Sequence, residues 1–298
     1  MTDRLRIALP DIVQAFSKGP AVLTEAALRE VLRENRKYWR LSNRETQRVF
    51  ISFMLEKTKL RQFLIDLPRR PIHGYTWGEV PLMESMLQLV PGSYFSHYTA
   101  VRLHGLTEQV PKTLYLSREK QRGQDLDKAA LRSYSQADID TSFAKPDRES
   151  VNQADVLEEG VRVVLLDAVA HEGAGIMAGK VNLGGERALN LRYTNLERTL
   201  IDIAIRPIYA GGIFEVAKAF EHAQGKLSVN AMNALYRKLR PYYPHHQRIG
   251  YYLERAGYKP SLIELFRRYP MEHDFYLTHN MDKTVYNERW RLHLPEGF

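Results

Sequence analysis

Apolar positions in the first eighty residues recur first at helical and then at strand spacing. Ile12, Val13 and Phe16 share one helical face. Pro10 and Gly19 bracket them, Pro just inside a start and Gly just past an end, which predicts a short first helix. Thr24 is placed to N-cap a second helix, with Ala27, Leu28, Val31 and Leu32 at helical spacing. A connector rich in Arg and aromatic residues follows, longer than the compact turn usual at such a place: Asn35 to Leu41, with Arg36, Lys37 and Arg40 in it. Ser42 and Glu45 have capping-box spacing, which predicts a third helix from there to about Lys57 with Val49, Phe50, Phe53 and Met54 as its buried stripe. Leu60–Leu67 and Ile72–Trp77 read as two strands joined by the turn Pro68-Arg69-Arg70-Pro71.

Beyond the hairpin, Pro81 opens a helix through about Leu89, with Leu82, Met83, Met86 and Leu87 as its apolar face. A second helix begins near Ser96 and ends at Gly105, and Lys112–Ser117 reads as a strand. Residues 119–150 are polar and charged and predict a mobile connection with one short helix near Ser135–Ala144. Val161–Leu166 is a continuous apolar run, the pattern of a buried strand; His171–Glu186, with five glycines, predicts loops; Leu189–Tyr193 is a further strand. Thr194 and Glu197 have the spacing of a second capping box, opening a helix through Arg206. The chain then stays helical to Pro270, and Asp274–Thr278 and Arg289–Leu294 alternate like strands. The expected fold class is α+β: a winged helix-turn-helix over residues 1–80, then a larger mixed α/β domain over 81–298, helix-rich toward its end.

Charge sharpens this division. The 298 residues carry a net +8 with 44% hydrophobic content, and residues 1–80 hold 15 Lys+Arg against 9 Asp+Glu, so +6 of that charge lies in the head. A basic head on a nearly neutral body is the pattern of a nucleic-acid-binding module, with double-stranded DNA as the expected partner. In a winged helix the third helix enters the major groove, where Asn, Gln and Arg pair bidentately with base edges; Asn43, Arg44, Gln47 and Arg48 take that role. Arg36, Lys37 and Arg40 in the connector and Arg61 in the hairpin are expected to support DNA binding, and Arg69 and Arg70 at the hairpin tip to meet a phosphate or a narrow minor groove. Cysteine is absent, which excludes disulfides, thiolate metal sites and cysteine nucleophiles. No apolar run approaches the roughly 18 residues of a membrane span, and the N-terminus lacks a signal-peptide core, so a cytoplasmic protein is expected.

Motifs for catalysis are missing at the decisive positions. Gly173–Lys180 resembles a phosphate loop, but Ala174 stands where the first glycine is needed and Val181 where Ser or Thr must meet magnesium. His171-Glu172 starts like a zinc-protease helix, but Gly175 replaces the second histidine. His97 with His104, and the adjacent His245 and His246, do not have metal-ligand spacing. Glu197, Arg198, Asp202 and Arg206 form a charged cluster in which Arg198–Asp202 and Asp202–Arg206 are i,i+4 pairs, the spacing of a surface ion ladder in preference to a site. There is no G-x-S-x-G elbow, and no E-x-K of a restriction-type nuclease; a Ser/His/Asp triad has no local signature to test. Nine of 17 tyrosines fall between Tyr236 and Tyr286, and packing between helices is preferred over a contact surface. No catalytic residue, metal or cofactor is expected.

Several blocks resemble the AbiEi-type antitoxins of bacterial abortive-infection, type IV toxin–antitoxin systems: Gly92–Thr113, with Ser96-His97-Tyr98-Thr99-Ala100 and His104-Gly105-Leu106-Thr107; Thr194–Asp202, running on to Arg206-Pro207 and Tyr209–Gly212; Tyr243–Tyr258; and Asp274–Thr278. The first seventy residues match in layout more than in letters. The resemblance implies an N-terminal winged helix that binds inverted repeats in its own promoter and represses it. It further implies a C-terminal domain that counteracts a nucleotidyltransferase-like toxin without requiring a stable complex. Composition alone leaves a second possibility: a plain winged-helix regulator whose C-terminal domain senses a ligand or dimerises.

Overall fold

A computed structural model describes residues 3–120, 133–185 and 187–298. Helix α1 spans Asp3–Lys18, so Pro10 lies inside the helix and not at its start. The apolar stripe explains the difference: Leu5 and Ala8 extend the face of Ile12 and Phe16 toward the N-terminus, and all four are buried. That burial outweighs the backbone hydrogen bond a central proline removes. Strand β1 (Val22–Leu23) leads to α2 (Glu25–Asn35), capped as expected by Thr24, whose Oγ1 accepts the Ala27 N–H at 3.1 Å. Helix α3 covers Gln47–Lys57, starting four residues later than the Ser42 capping box predicts. Phe50, Phe53 and Met54 form its buried stripe, and Val49, beyond the edge of that stripe, is 43% exposed. Strands β2 (Leu60–Ile65) and β3 (Ile72–Trp77) complete an antiparallel sheet in the order β1-β3-β2.

Next come α4 (Leu82–Leu89), β4 (Ser93–Phe95), α5 (His97–Leu103), β5 (Thr113–Glu119), α6 (Gln136–Phe143), β6 (Gln153–Val156), β7 (Val161–Ala168), β8 (Ile176–Val181) and β9 (Leu189–Thr194). The six strands form one mixed sheet, β6-β7-β5-β4-β9-β8, in which β5–β7 and β4–β9 are parallel and the other pairs antiparallel. Strand β8 lies in the stretch expected to be loops. It is an edge strand with little side-chain burial, held by its backbone ladder to β9, and glycines do not prevent such a ladder. Residues 121–132, within the stretch expected to be a mobile connection, and Glu186 lie outside the described residues.

Helix α7 (Leu196–Ile205) is capped by Asn195, whose Oδ1 accepts the Arg198 N–H at 2.9 Å. The predicted cap, Thr194, is still paired within β9, and its Oγ1 meets Thr199 Oγ1 at 2.7 Å. A 3-10 turn (Pro207–Ala210) and helices α8 (Ile213–His222), α9 (Val229–Leu239), α10 (His246–Arg255) and α11 (Pro260–Arg267) follow. The chain ends in a small sheet of β10 (Phe275–Tyr276), β11 (Thr284–Asn287) and β12 (Leu292–Pro295), ordered β10-β12-β11. The fold is mixed α and β, and among the described residues no helix is long and apolar enough to cross a membrane.

One hairpin belongs to two cores. Leu60, Tyr75 and Trp77 at its base pack with Phe16, Phe50 and Met54 of the helical head, whereas Ile65, Leu67 and Ile72 near its tip pack with Met83, Met86 and Leu165 against the six-stranded sheet. Helix α4 is the wedge between them, touching β1, β3 and β9. Its Glu84 accepts both Arg187 η-nitrogens, at 2.5 and 3.1 Å, and the Asn190 N–H of β9 at 2.8 Å. The hydrogen bonds from Arg187 hold the Glu84 carboxyl below the usual range. Gly74 lies where α4 crosses β3: a Cβ there would sit 2.3 Å from Leu89 Cδ2 and 2.9 Å from the Leu23 carbonyl oxygen. Gly74→Ala is therefore expected to destabilise the protein by about 1–3 kcal/mol through overpacking, read by urea denaturation. An unchanged midpoint would mean that α4 does not press on the hairpin.

Candidate functional site

The ten residues expected to face DNA fall into two groups. Four are engaged within the protein. Arg36 is half-buried, and its Nη1 and Nη2 donate to the carbonyl oxygens of Ser42, at 2.5 Å, and Glu45, at 2.9 Å. Gln47 bridges α3 to α2, accepting from Arg29 Nε at 2.9 Å and donating to Glu25 Oε1 at 3.1 Å. Arg61 pairs with Glu79 at 3.3 Å on the open surface, a contact of small energetic weight. Arg69 turns toward the body: its N–H donates to Asn152 Oδ1 at 3.2 Å, and its guanidinium lies 3.9 Å from Asp167. The other six, Lys37, Arg40, Asn43, Arg44, Arg48 and Arg70, are exposed, with no side-chain partner among the described residues.

The later start of α3 has a local cause. Ser42 Oγ donates to the Glu45 carboxylate and accepts the Arg44 N–H at 3.2 Å, so the S-x-x-E pattern closes a turn by itself, and Thr46 becomes the cap, its Oγ1 3.4 Å from the Val49 nitrogen. Asn43 and Arg44 therefore sit on that turn, ahead of the helix, and Gln47 and Arg48 are its first two residues. The long connector is ordered by two hooks. Trp39 is buried and stacks on Phe50 with centroids 5.9 Å apart, and Leu41 is buried beside it. The Arg36 clamp closes the rest, and Arg40 takes φ 52, the left-handed conformation that turns the chain between the hooks.

The body holds a second feature, a cleft of 740 Å³ between α6, α7 and the segment Pro241–His245. Arg198 and Asp202 lie in its wall. They are paired at 2.7 Å, but Arg198 is 5% exposed, so the cluster is buried and not a surface ladder. Helix α7 buries Arg198 and Thr199 together with Leu200, Ile201, Ile203 and Ala204, so protein covers its polar side as well as its apolar side. Arg206 does not continue the ladder: it reaches Asp147 at 3.2 Å and the Arg148 carbonyl at 2.5 Å, and its guanidinium lies 5.1 Å from the Tyr209 ring. His245 and His279 also line the cleft. Burial pushes the pKa of His245 well below the ordinary histidine range and lowers that of His279 as well.

Beneath the cleft, Arg248 is fully buried with no ion pair among the described residues. Its Nε donates to the Tyr276 carbonyl at 2.6 Å, and Nη1 to the Ala204 and Ile205 carbonyls at 3.2 and 3.0 Å, between the rings of Phe143 and Phe275. Burial pushes its pKa down to about 10, which leaves it charged at neutral pH against the negative end of α7. The tyrosines divide: Tyr236 and Tyr252 are buried among helices, as expected, whereas Tyr242 and Tyr243 form part of the cleft wall. His97 and His104 hydrogen-bond to Ser96 Oγ and the Thr194 carbonyl, and no cluster of His, Asp and Glu able to hold a metal occurs among the described residues.

No family model and no curated protein matches the chain. Among solved structures it is similar to the crystal structure of the RV2827C protein from Mycobacterium tuberculosis, with a TM-score of 0.58 at 15% identity, over 95% of this chain and 89% of that one. At that identity the likeness is one of fold alone.

The two groups of head residues differ in what their loss should do to stability. Arg36→Ala removes a clamp on two carbonyls and is expected to cost about 1–3 kcal/mol. Arg48→Ala touches no partner and should change stability by less than about 0.5 kcal/mol. Chemical denaturation of both variants checks this; equal losses would mean Arg36 is no clamp.

Proposed function

We propose that the chain is a non-enzymatic DNA-binding transcriptional regulator whose first eighty residues form a winged helix-turn-helix. The observation that carries the proposal is the set of exposed side chains, without a partner among the described residues, gathered over the connector and the start of α3: Lys37, Arg40, Asn43, Arg44 and Arg48. The order α1-β1-α2-α3-β2-β3 and the sheet order β1-β3-β2 support the winged-helix assignment. Arg48, on the first turn of α3, is the residue best suited to a base edge; Lys37 and Arg40 suit phosphates on either side. The wing takes a smaller part than its sequence suggests. Its tip is docked on the body, and Arg70, more than Arg69, is left to meet a phosphate.

The blocks that resemble AbiEi-type antitoxins extend the proposal: the regulator represses its own promoter in the cytoplasm, and its body counteracts a nucleotidyltransferase-like toxin. Co-expression with the neighbouring gene, scored for growth, tests that extension. A second reading, a body that senses a ligand, is favoured by the cleft of 740 Å³ in the body.

Base reading and phosphate contact separate experimentally. Titrations of DNA from upstream of the gene and of random duplex, at several salt concentrations, should find that Arg48→Ala loses about 1–3 kcal/mol on the upstream DNA and little on random DNA. Lys37→Ala/Arg40→Ala should weaken both and lower the salt slope by about two. Equal loss on both DNAs for Arg48→Ala would remove α3 as the reader, and no binding by the intact chain would remove the proposal.

A further inference from the structure

The body cleft gathers positive groups that the fold leaves incompletely used. Arg198 commits Nε to Asp202 and Nη1 to the Ala174 carbonyl at 2.8 Å, which leaves Nη2 with no bond among the described residues. Arg206 commits one η-nitrogen, and its Nε is buried without a partner. Lys145 and Arg148 line the same cleft, are exposed, and form no ion pair among the described residues. His245 is 94% buried, lines the cleft, and its Nδ1 has no partner among the described residues; His279 is half-buried there and its Nδ1 likewise has none. Two of the three acidic residues in the wall, Asp147 and Asp202, are already paired with Arg206 and Arg198.

Buried polar atoms are rarely left without partners, because the desolvation of each costs about 1–3 kcal/mol. The buried, unpaired Nε of Arg206 and the open Nη2 of Arg198, backed by Lys145 and Arg148 with no ion pair among the described residues, fit an acceptor-rich anion, and guanidinium forks suit phosphate above all. Beside these groups, Tyr242 and Tyr243 offer aromatic surface, with Tyr242 44% exposed. A cleft of 740 Å³ is the size of a nucleotide site rather than of a single inorganic ion.

We infer that this cleft is a binding site for a nucleoside phosphate, with the phosphate held by Arg198, Arg206, Lys145 and Arg148 and the base against Tyr242 and Tyr243. The buried nitrogens of His245 and His279 lie in the same wall and complete the polar lining. The site is in the body and stands independently of the DNA-binding proposal.

The test uses the full chain and the probes AMP, GMP, CMP and UMP, with the four nucleosides and inorganic phosphate as controls, in thermal-shift and calorimetric titrations up to about 1 mM. At least one nucleotide is expected to bind, with its nucleoside and free phosphate each at least about tenfold weaker. Lys145→Ala/Arg148→Ala alters only exposed side chains, so its melting temperature without ligand should match the wild type while nucleotide affinity falls about tenfold. Tyr242→Ala should weaken the nucleotide and leave inorganic phosphate unaffected. Binding of none of the four nucleotides, free phosphate binding as tightly as the nucleotides, or full nucleotide affinity in the Lys145/Arg148 variant would each overturn the assignment.

Discussion

The constraint on which the molecule turns is the sharing of one hairpin between two hydrophobic cores. The base of β2–β3 closes the helical head through Leu60, Tyr75 and Trp77, and its outer half closes the body sheet through Ile65, Leu67 and Ile72. Helix α4 locks the joint: Leu89 lies directly over Gly74, where a side chain would collide, and Glu84 is anchored to Arg187 and Asn190 on the far side. A boundary near residue 80 follows the charge of the chain, but no apolar gap follows it. The head thus cannot reorient on the body without exposing the residues near the hairpin tip, and α3 is held at a fixed angle to the body.

Within the body, the same economy of buried polar groups shapes the cleft. Four consecutive residues, His245, His246, Gln247 and Arg248, are buried at the start of α10. Gln247 donates to the His273 and Trp290 carbonyls at 3.0 and 2.8 Å, and Arg248 to carbonyls at the end of α7 and in β10. A lone buried guanidinium is tolerable because carbonyl dipoles and two aromatic faces replace its water. This plug brings α6, α7 and the last small sheet together, and the cleft is what remains above it, with Arg198 and Arg206 in its wall. Head and cleft therefore belong to one framework, with α4 and the six-stranded sheet between them.

Much of this framework was legible in the chain wherever the governing signal was local. The Thr24 cap, the hairpin strands, the Val161–Leu166 run and the helices after Thr194 come from spacing and burial that neighbouring residues share. The start of α3 was not legible, because Ser42 and Glu45 satisfy each other and leave the helix to Thr46. Pro10 misled for the opposite reason: a weak local breaker was overruled by Leu5 and Ala8 on the buried face. The cleft was hidden by distance along the chain. Arg206 finds the Arg148 carbonyl across 58 residues and Asp147 one residue further, and nothing near Arg198 announces that its ladder faces inward. Sheet edges were also hard to read, since β8 buries little side chain and is held mainly by its backbone ladder.

Differential scanning calorimetry of the intact chain tests the shared hairpin most directly. If one core cannot open without the other, head and body melt in a single transition whose calorimetric and van't Hoff enthalpies agree to a ratio of about one. Two resolved transitions, one for a head of about eighty residues and one for the body, would contradict a hairpin common to both cores.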